Sequence, residues 1–201
     1  MTKLLLFSDL HADVDAARDI VRRAPDVDIL VGAGDFGNGR RHVERCIDVL
    51  QSITKPTVLV AGNNESTEEL RSACAKWTSA VVLHGSTVVI GGVTFYGLGG
   101  GVPLTPFGPW SYDFDEDQAR ALLERCPPSA VLISHSPPKG ILDRSSSGQS
   151  LGSVAVREAV DRTHPRLVVC GHIHASGGKS EVMDGVAVVN AGPSGLIWTI
   201  D

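Results

Sequence analysis

The sequence predicts an α/β fold in which two packed mixed β-sheets, a β-sandwich, are flanked by helices. Through the first half, apolar runs of strand length alternate with stretches of 3.6-residue periodicity, the pattern of parallel strands joined by crossover helices. Near the middle and at the end that pattern gives way to hairpin punctuation, Gly91-Gly92 and Asp184-Gly185, each between runs of strand length. Parallel strands with crossovers, combined with antiparallel pairs at these two places, are best accommodated by two sheets packed together under helices. The 22 glycines and low aromatic content agree, since tight strand-to-helix turns use the positive φ that glycine adopts at low steric cost.

In chain order, Lys3 to Phe7, Ile29 to Val31 and Val58 to Ala61 are strand runs. The intervening helices are marked by the spacing of Val14, Ala17, Val21 and Ala24, then of Val43, Cys46, Ile47 and Leu50, then of Leu70, Ala73, Cys74 and Trp77. Ser66 and Glu69 have the spacing of a capping box for the third helix. Val88 to Ile90 and Val93 to Tyr96 form the first hairpin. A glycine, proline and aromatic loop, Leu98 to Phe114, leads into a helix near Asp115 to Arg125 and a strand at Val131 to Ile133. A second irregular stretch, Ser136 to Gly152, precedes a helix at Ser153 to Thr163 and the strand Leu167 to Cys170. Lys179 to Met183 and Val186 to Asn190 make the second hairpin.

A chain of 201 residues with 42% hydrophobic content supports one sizeable core, and residues 1–201 read as a single domain without repeat, linker or low-complexity tract. The net charge of −5 argues against a groove for extended nucleic acid, which calls for a basic balance or stripe. Cys46, Cys74, Cys126 and Cys170 are widely spaced and fall in apolar patterns, so they read as buried reduced thiols. The apolar run Leu4 to Phe7 is far short of a signal-peptide core, and no run approaches a membrane span; the expected location is the cytoplasm.

The residues that carry chemistry stand just past the ends of five strand runs. Asp9 and His11 come after the first, Asp35 after the second, Asn63 after the third, His135 after the fourth, and His172 and His174 after the fifth. Carboxyl ends of parallel strands face a common crevice, so donors far apart in sequence converge there. Any one of these residues has an ordinary structural explanation, as a helix cap, a turn former or a satisfied polar group. Seven ligand-type residues after five separate strands point instead to a shared metal site. Carboxylate, imidazole and amide oxygen donors suit manganese, iron, cobalt, nickel or zinc better than calcium.

In this order Asp9-x-His11, Gly34-Asp35, Gly62-Asn63, Ser134-His135 and Gly171-His172-x-His174 resemble the five signature blocks of the calcineurin-like metallophosphoesterases. Ser136-Pro137-Pro138, Gly152-Ser153 and Val189 to Gly192 are similar to the small bacterial and archaeal phosphodiesterase-like branch. The resemblance implies two divalent ions, manganese first among the candidates. It assigns Asp9, His11 and His174 to one, Asn63, His135 and His172 to the other, and Asp35 as the bridge. It further implies phosphoester hydrolysis by a metal-bridging hydroxide on a small, nucleotide-like substrate. Two dications, less Asp9, Asp35 and one hydroxide, leave a pocket of net positive charge, which leans toward diester monoanions.

The departure from the family pattern is Asn64, where many relatives carry a histidine taken to protonate the leaving group. An amide donates a hydrogen bond but supplies no proton, so Asn64 is expected at the reacting centre without that function. Trp110 and Tyr112, with Phe107, are candidates to stack on a base, and Lys139 and Arg144 to contact a phosphate oxygen. For each of these a surface role is the competing explanation. His42, His84 and His164 fall outside the pattern. Against a small-substrate phosphodiesterase stand a nuclease, a protein phosphatase and a non-catalytic scaffold of the same fold. The first is opposed by the acidic balance, the second by the absence of a peptide-binding extension, and the third by the intact set of seven donors. Neither a membrane partner nor a particular oligomeric state is implied.

Overall fold

Apolar runs and amphipathic stretches alternate as β1 (Thr2–Phe7), α1 (Val14–Arg23), β2 (Ile29–Gly32), α2 (Val43–Leu50), β3 (Thr57–Leu59), α3 (Thr67–Ala73) and β4 (Ala80–Val82). The second half runs β5 (Ser86–Ile90), β6 (Val93–Leu98), α4 (Glu116–Leu123), β7 (Val131–Ser134), α5 (Val154–Thr163), β8 (Leu167–Cys170), β9 (Lys179–Met183), β10 (Val186–Asn190) and β11 (Leu196–Ile200). The computed structural model describes residues 1–201. Its strands form two mixed sheets, β11-β1-β2-β3-β4 and β5-β6-β7-β8-β10-β9.

Side-chain alternation divides each central strand between two cores. In β1, Leu4 and Leu6 pack between the sheets, while Leu5 and Phe7 pack under α1, α2 and α3. In β7, Val131 and Ile133 join the inter-sheet core and Leu132 the one beneath α4 and α5. Four layers result, helices outside and sheets inside. This is why the central strands read as continuous apolar runs instead of alternating ones.

Helix starts follow local chemistry. Asp13 Oδ1 accepts from the Asp15 and Ala16 N–H groups at α1, and Ser153 Oγ accepts from Val156 N at α5. The expected Ser66–Glu69 box is present, and Asp115 with Gln118 forms a second one at α4. The buried stripe of α1 runs through Ala17 and Ile20 and on to Ala24 just past its end, so Ile20, and not its neighbour Val21, fills the core. Two strands lie outside the sequence expectation. β4 has only three residues, and β11 completes the first sheet by pairing antiparallel with β1, Thr2 opposite Ile200. All four cysteines are buried and free. No helix is long and apolar enough to cross a membrane.

His84 lies in the joint between the sheets, where its Nδ1 accepts from Gly99 N–H at 3.2 Å and its ring meets Tyr112 and Phe114. Burial holds its imidazole below the ordinary histidine value. The unfolded chain therefore binds a proton at higher pH than the fold does, and this contribution to stability is present above pH ~6.5 and lost as pH falls. Urea unfolding at neutral and at acidic pH checks it. Wild type should lose more stability on acidification than His84→Asn, and equal losses would contradict the assignment.

Candidate metal centre

The carboxyl ends of β1, β2 and β3 in one sheet and of β7 and β8 in the other meet at one edge of the sandwich, and there the backbone leaves extended geometry. Asp9, His11, Asp35 and His172 have φ of 57°, 47°, 58° and 66°, a left-handed region that costs side chains energy. Neighbouring loops hold them in it. Asp9 N donates to Gly34 O at 2.9 Å and His11 N to Asp35 O at 2.9 Å, while His172 N donates to Asp9 Oδ1 at 3.0 Å. Two glycines make room for the carboxylates. A Cβ on Gly62 would fall on Asp35 Oδ1, and one on Gly171 would lie 2.5 Å from Asp9 Oδ2.

The donor atoms form two groups joined by one carboxylate. In the first, His11 Nε2 is 3.0 Å from His174 Nε2, and His174 Nε2 is 3.8 Å from Asp9 Oδ1. In the second, Asn63 Oδ1 is 3.1 Å from His172 Nδ1 and 3.3 Å from His135 Nε2. Asp35 Oδ2 stands between them, 3.7 Å from His11 Nε2 and 3.5 Å from His135 Nε2. Donors ~2.1 Å from a common ion and adjacent around it are about 3.0 to 3.4 Å apart; the His11–His174, Asn63–His172 and Asn63–His135 separations fall in that range, and the two carboxylates stand a few tenths of an ångström further out. Facing imidazole lone pairs, as in His11 and His174, also call for a cation or a proton between them.

Electrostatics follow from burial and proximity. Burial alone would raise the Asp35 carboxyl, but His135, His11 and the Asn64 N–H hold it far below the usual carboxylate range. Burial opposes charge on His135, yet Asp35 outweighs it and raises that imidazole to about 9. Burial, then His135, lowers His172 to about 3, so its ring is neutral at neutral pH and one nitrogen lone pair is free. His135 Nδ1 lies 2.7 Å from Ala33 O, a carbonyl that accepts its N–H and leaves Nε2 facing the centre.

The model of the calcineurin-like phosphoesterase family matches residues 2–176. The chain belongs to that family. Human metallophosphoesterase domain-containing protein 1 is 28% identical over 96% of this chain and 68% of its own length. Among solved structures, the protein TT1561 of Thermus thermophilus superposes with a TM-score of 0.77 at 20% identity, covering 96% of this chain and 90% of that one. A dimetal phosphatase from Danio rerio gives a TM-score of 0.63 at 14% identity, covering 94% and 86%. Both mixed sheets and their helices are thus the calcineurin-like fold, as the sequence predicted. Members of this family are divalent-metal phosphoesterases.

Above the donors of this calcineurin-like phosphoesterase opens a cleft of about 650 Å³. Phe107 and Trp110, stacked at 5.7 Å, form one wall, and Ser145, Ser146 and Leu151 contribute from the second irregular loop. Of the expected substrate contacts, Trp110 and Asn64 line the cleft. Tyr112, Lys139 and Arg144 do not. Tyr112 turns its hydroxyl to Thr67 Oγ1 and its ring to Phe114, Lys139 Nζ donates to Ser150 O, and Arg144 Nη1 donates to Gly148 O. Each is engaged by its own loop or a neighbouring element. Asn64 is also engaged: Nδ2 donates to Asp35 Oδ2 at 2.7 Å, and Oδ1 accepts from Gly39 N at 2.7 Å.

Two residues at the centre lie outside the sequence expectation. Glu65, buried, accepts from Gly62 N and Asp35 N on one oxygen and from Gly37 N on the other, tying two ligand loops together. Burial, then the charge of Asp35, raises its carboxyl to about 7. A charged residue directly after Asn63-Asn64, in a turn opened by Gly62, is the available signal. Ser8 Oγ donates to Asp9 Oδ2 at 2.6 Å and accepts from Gly192 N at 2.9 Å. A serine at a strand end carries no signal of that kind.

Proposed function

We propose that this calcineurin-like phosphoesterase is a two-metal phosphodiesterase acting on a small substrate, and that Asp35 bridges its ions. The observation that carries the reading is the place of Asp35 Oδ2, within 3.7 Å of a donor in each group. Asp9, His11 and His174 would hold one ion and Asn63, His135 and His172 the other, manganese being preferred over iron, zinc, cobalt or nickel. When bound, two such ions supply Lewis-acid charge and an acidified water for in-line attack at phosphorus.

The remaining work falls to protein groups. Ala33 O fixes the His135 tautomer, and Asn64 Nδ2 orients Asp35. No lysine or arginine lines the cleft. A monoester dianion therefore meets no cationic side chain beyond the two ions, which favours diesters. An apolar or aromatic ester group suits Phe107, Trp110 and Leu151. A nuclease reading is disfavoured by the same lack of basic side chains and by the net charge of −5. The four buried free cysteines accord with a single domain working in the reducing cytoplasm.

Metal analysis of the purified protein under manganese saturation, followed by a panel of diesters and monoesters, tests the proposal. We expect two ions per chain and turnover of diesters above that of alkyl monoesters. Fewer than two ions removes the mechanism, and vigorous alkyl monoester turnover with none of diesters reverses the substrate class.

A further inference from the structure

Asn63 poses a problem of direction, because its amide presents oxygen on one side and NH₂ on the other and the two ends have nearly the same shape. Only the oxygen serves as a metal donor. In the structure Asn63 Oδ1 faces His172 and His135, and Nδ2 donates to Ser111 Oγ at 3.0 Å. A serine hydroxyl can donate or accept. The choice at Ser111 is made by Asp113, an acceptor-only carboxylate whose Oδ1 accepts the Ser111 O–H hydrogen bond at 2.8 Å. Asp113 is itself fixed through Oδ2, which accepts from Thr105 N at 2.8 Å and Thr105 Oγ1 at 2.6 Å. Tyr112 N donates to Asn63 O at 2.9 Å, so the loop also grips the backbone of the residue it orients.

We infer that Ser111, polarised by Asp113, is a positioning residue that sets the Asn63 amide with its oxygen toward the second ion. This rests on the two-metal reading above. Hydrogen-bond direction runs one way along the chain: Ser111 donates its O–H to the carboxylate, its oxygen lone pair accepts from Asn63 Nδ2–H, and Asn63 Oδ1 is left for the metal. None of these loop residues belongs to the five signature blocks. The loop that carries Phe107 and Trp110 over the cleft is thereby coupled to the filling of one metal site. Binding free energies couple reciprocally, so occupancy of that site also steadies the loop.

Manganese titration by calorimetry, with the electron paramagnetic resonance of the loaded protein, tests the assignment in wild type, Ser111→Ala, Ser111→Thr and Asp113→Asn. Outer partners of metal ligands are typically worth about 10- to 100-fold in affinity. Ser111→Ala should bind one ion as wild type does and the other about 10- to 100-fold more weakly, with loss of the spin-coupled pair signal at limiting metal. Ser111→Thr keeps the hydroxyl and should restore both. Asp113→Asn, whose amide can donate to Ser111 and reverse the chain, should resemble Ser111→Ala. Leu104→Ser, an exposed change in the same loop, should leave both affinities unchanged and so separates general loop disturbance from amide orientation. Two ions held by Ser111→Ala as tightly as by wild type overturn the assignment alone. A wild-type protein that binds fewer than two ions overturns the two-metal reading and this inference with it.

Discussion

Asp35→Asn is expected to lower phosphoester hydrolysis by about 10³-fold or more while leaving the fold intact. Metal centres supply several kcal/mol of charge stabilisation in the transition state, and each 1.36 kcal/mol is a factor of ten in rate. Asp35 Oδ2 lies within 3.7 Å of a ring nitrogen in each donor group, and Asp9, the other carboxylate close to both, also serves the backbone of His172, so the loss of the Asp35 charge is not made good. Asparagine keeps the shape and an oxygen but loses the negative charge. Both ions should bind more weakly, and the His135 imidazolium that Asp35 favours in the metal-free protein should lose its partner. Gly62→Ala offers a control of a different kind, because it removes no donor. Its methyl would fall on Asp35 Oδ1, and the carboxylate must move for the chain to fold around it. Metal content, unfolding temperature and turnover measured together decide the matter. If Asp35→Asn retains both ions and near-normal turnover, the bridge is wrongly assigned.

The site was legible in sequence to the degree that strand ends dictate convergence. Asp9, Asp35, Asn63, His135 and His172 each stand just past an apolar run, and two sheets with their carboxyl ends at one edge bring them together without any further information. What the pattern lacked was direction beyond the strand ends. Trp110 and Tyr112 are two residues apart in one loop, yet only Trp110 enters the cleft, because the Tyr112 hydroxyl finds Thr67. Lys139 and Arg144 kept their charge in sequence and lost their reach in structure, each donating to a carbonyl within its own loop. β11 was missed for a related reason. Leu196, Trp198 and Ile200 alternate as a strand should, but the strand that pairs with them is at the other end of the chain. Pairing over such a separation leaves no local turn signal. The donors were therefore readable, and the hydrogen bonds that aim them were not.

Leaving-group chemistry gives the second large effect. Among residues lining the cleft the only titratable side chains are His11, Asp35, His172 and His174, and under the proposed two-metal reading all four would hold the ions. No acid remains to protonate a departing alkoxide. Asn64 occupies the position where a histidine would do so, and its amide hydrogens cannot be transferred. Loss of a general acid typically costs ~10² to 10⁴ in rate, borne by poor leaving groups and scarcely by nitrophenolate. Nitrophenyl diesters should therefore outpace alkyl diesters by a wide margin. Asn64→His should narrow that margin by raising alkyl turnover, and should add an ionisation near pH ~6.5 to the profile. The substitution also removes the Nδ2 bond to Asp35, a loss that acts through the metals and must slow both substrates by one factor. Asn64→Ala isolates that loss, since it breaks the same bond and supplies no imidazole. The decisive quantity is then the ratio of alkyl to nitrophenyl rates across pH at fixed metal occupancy. It should be equal in wild type and Asn64→Ala and higher in Asn64→His. An unchanged ratio and profile in Asn64→His would mean that position 64 acts on this reaction solely by orienting Asp35, and that water delivers the proton.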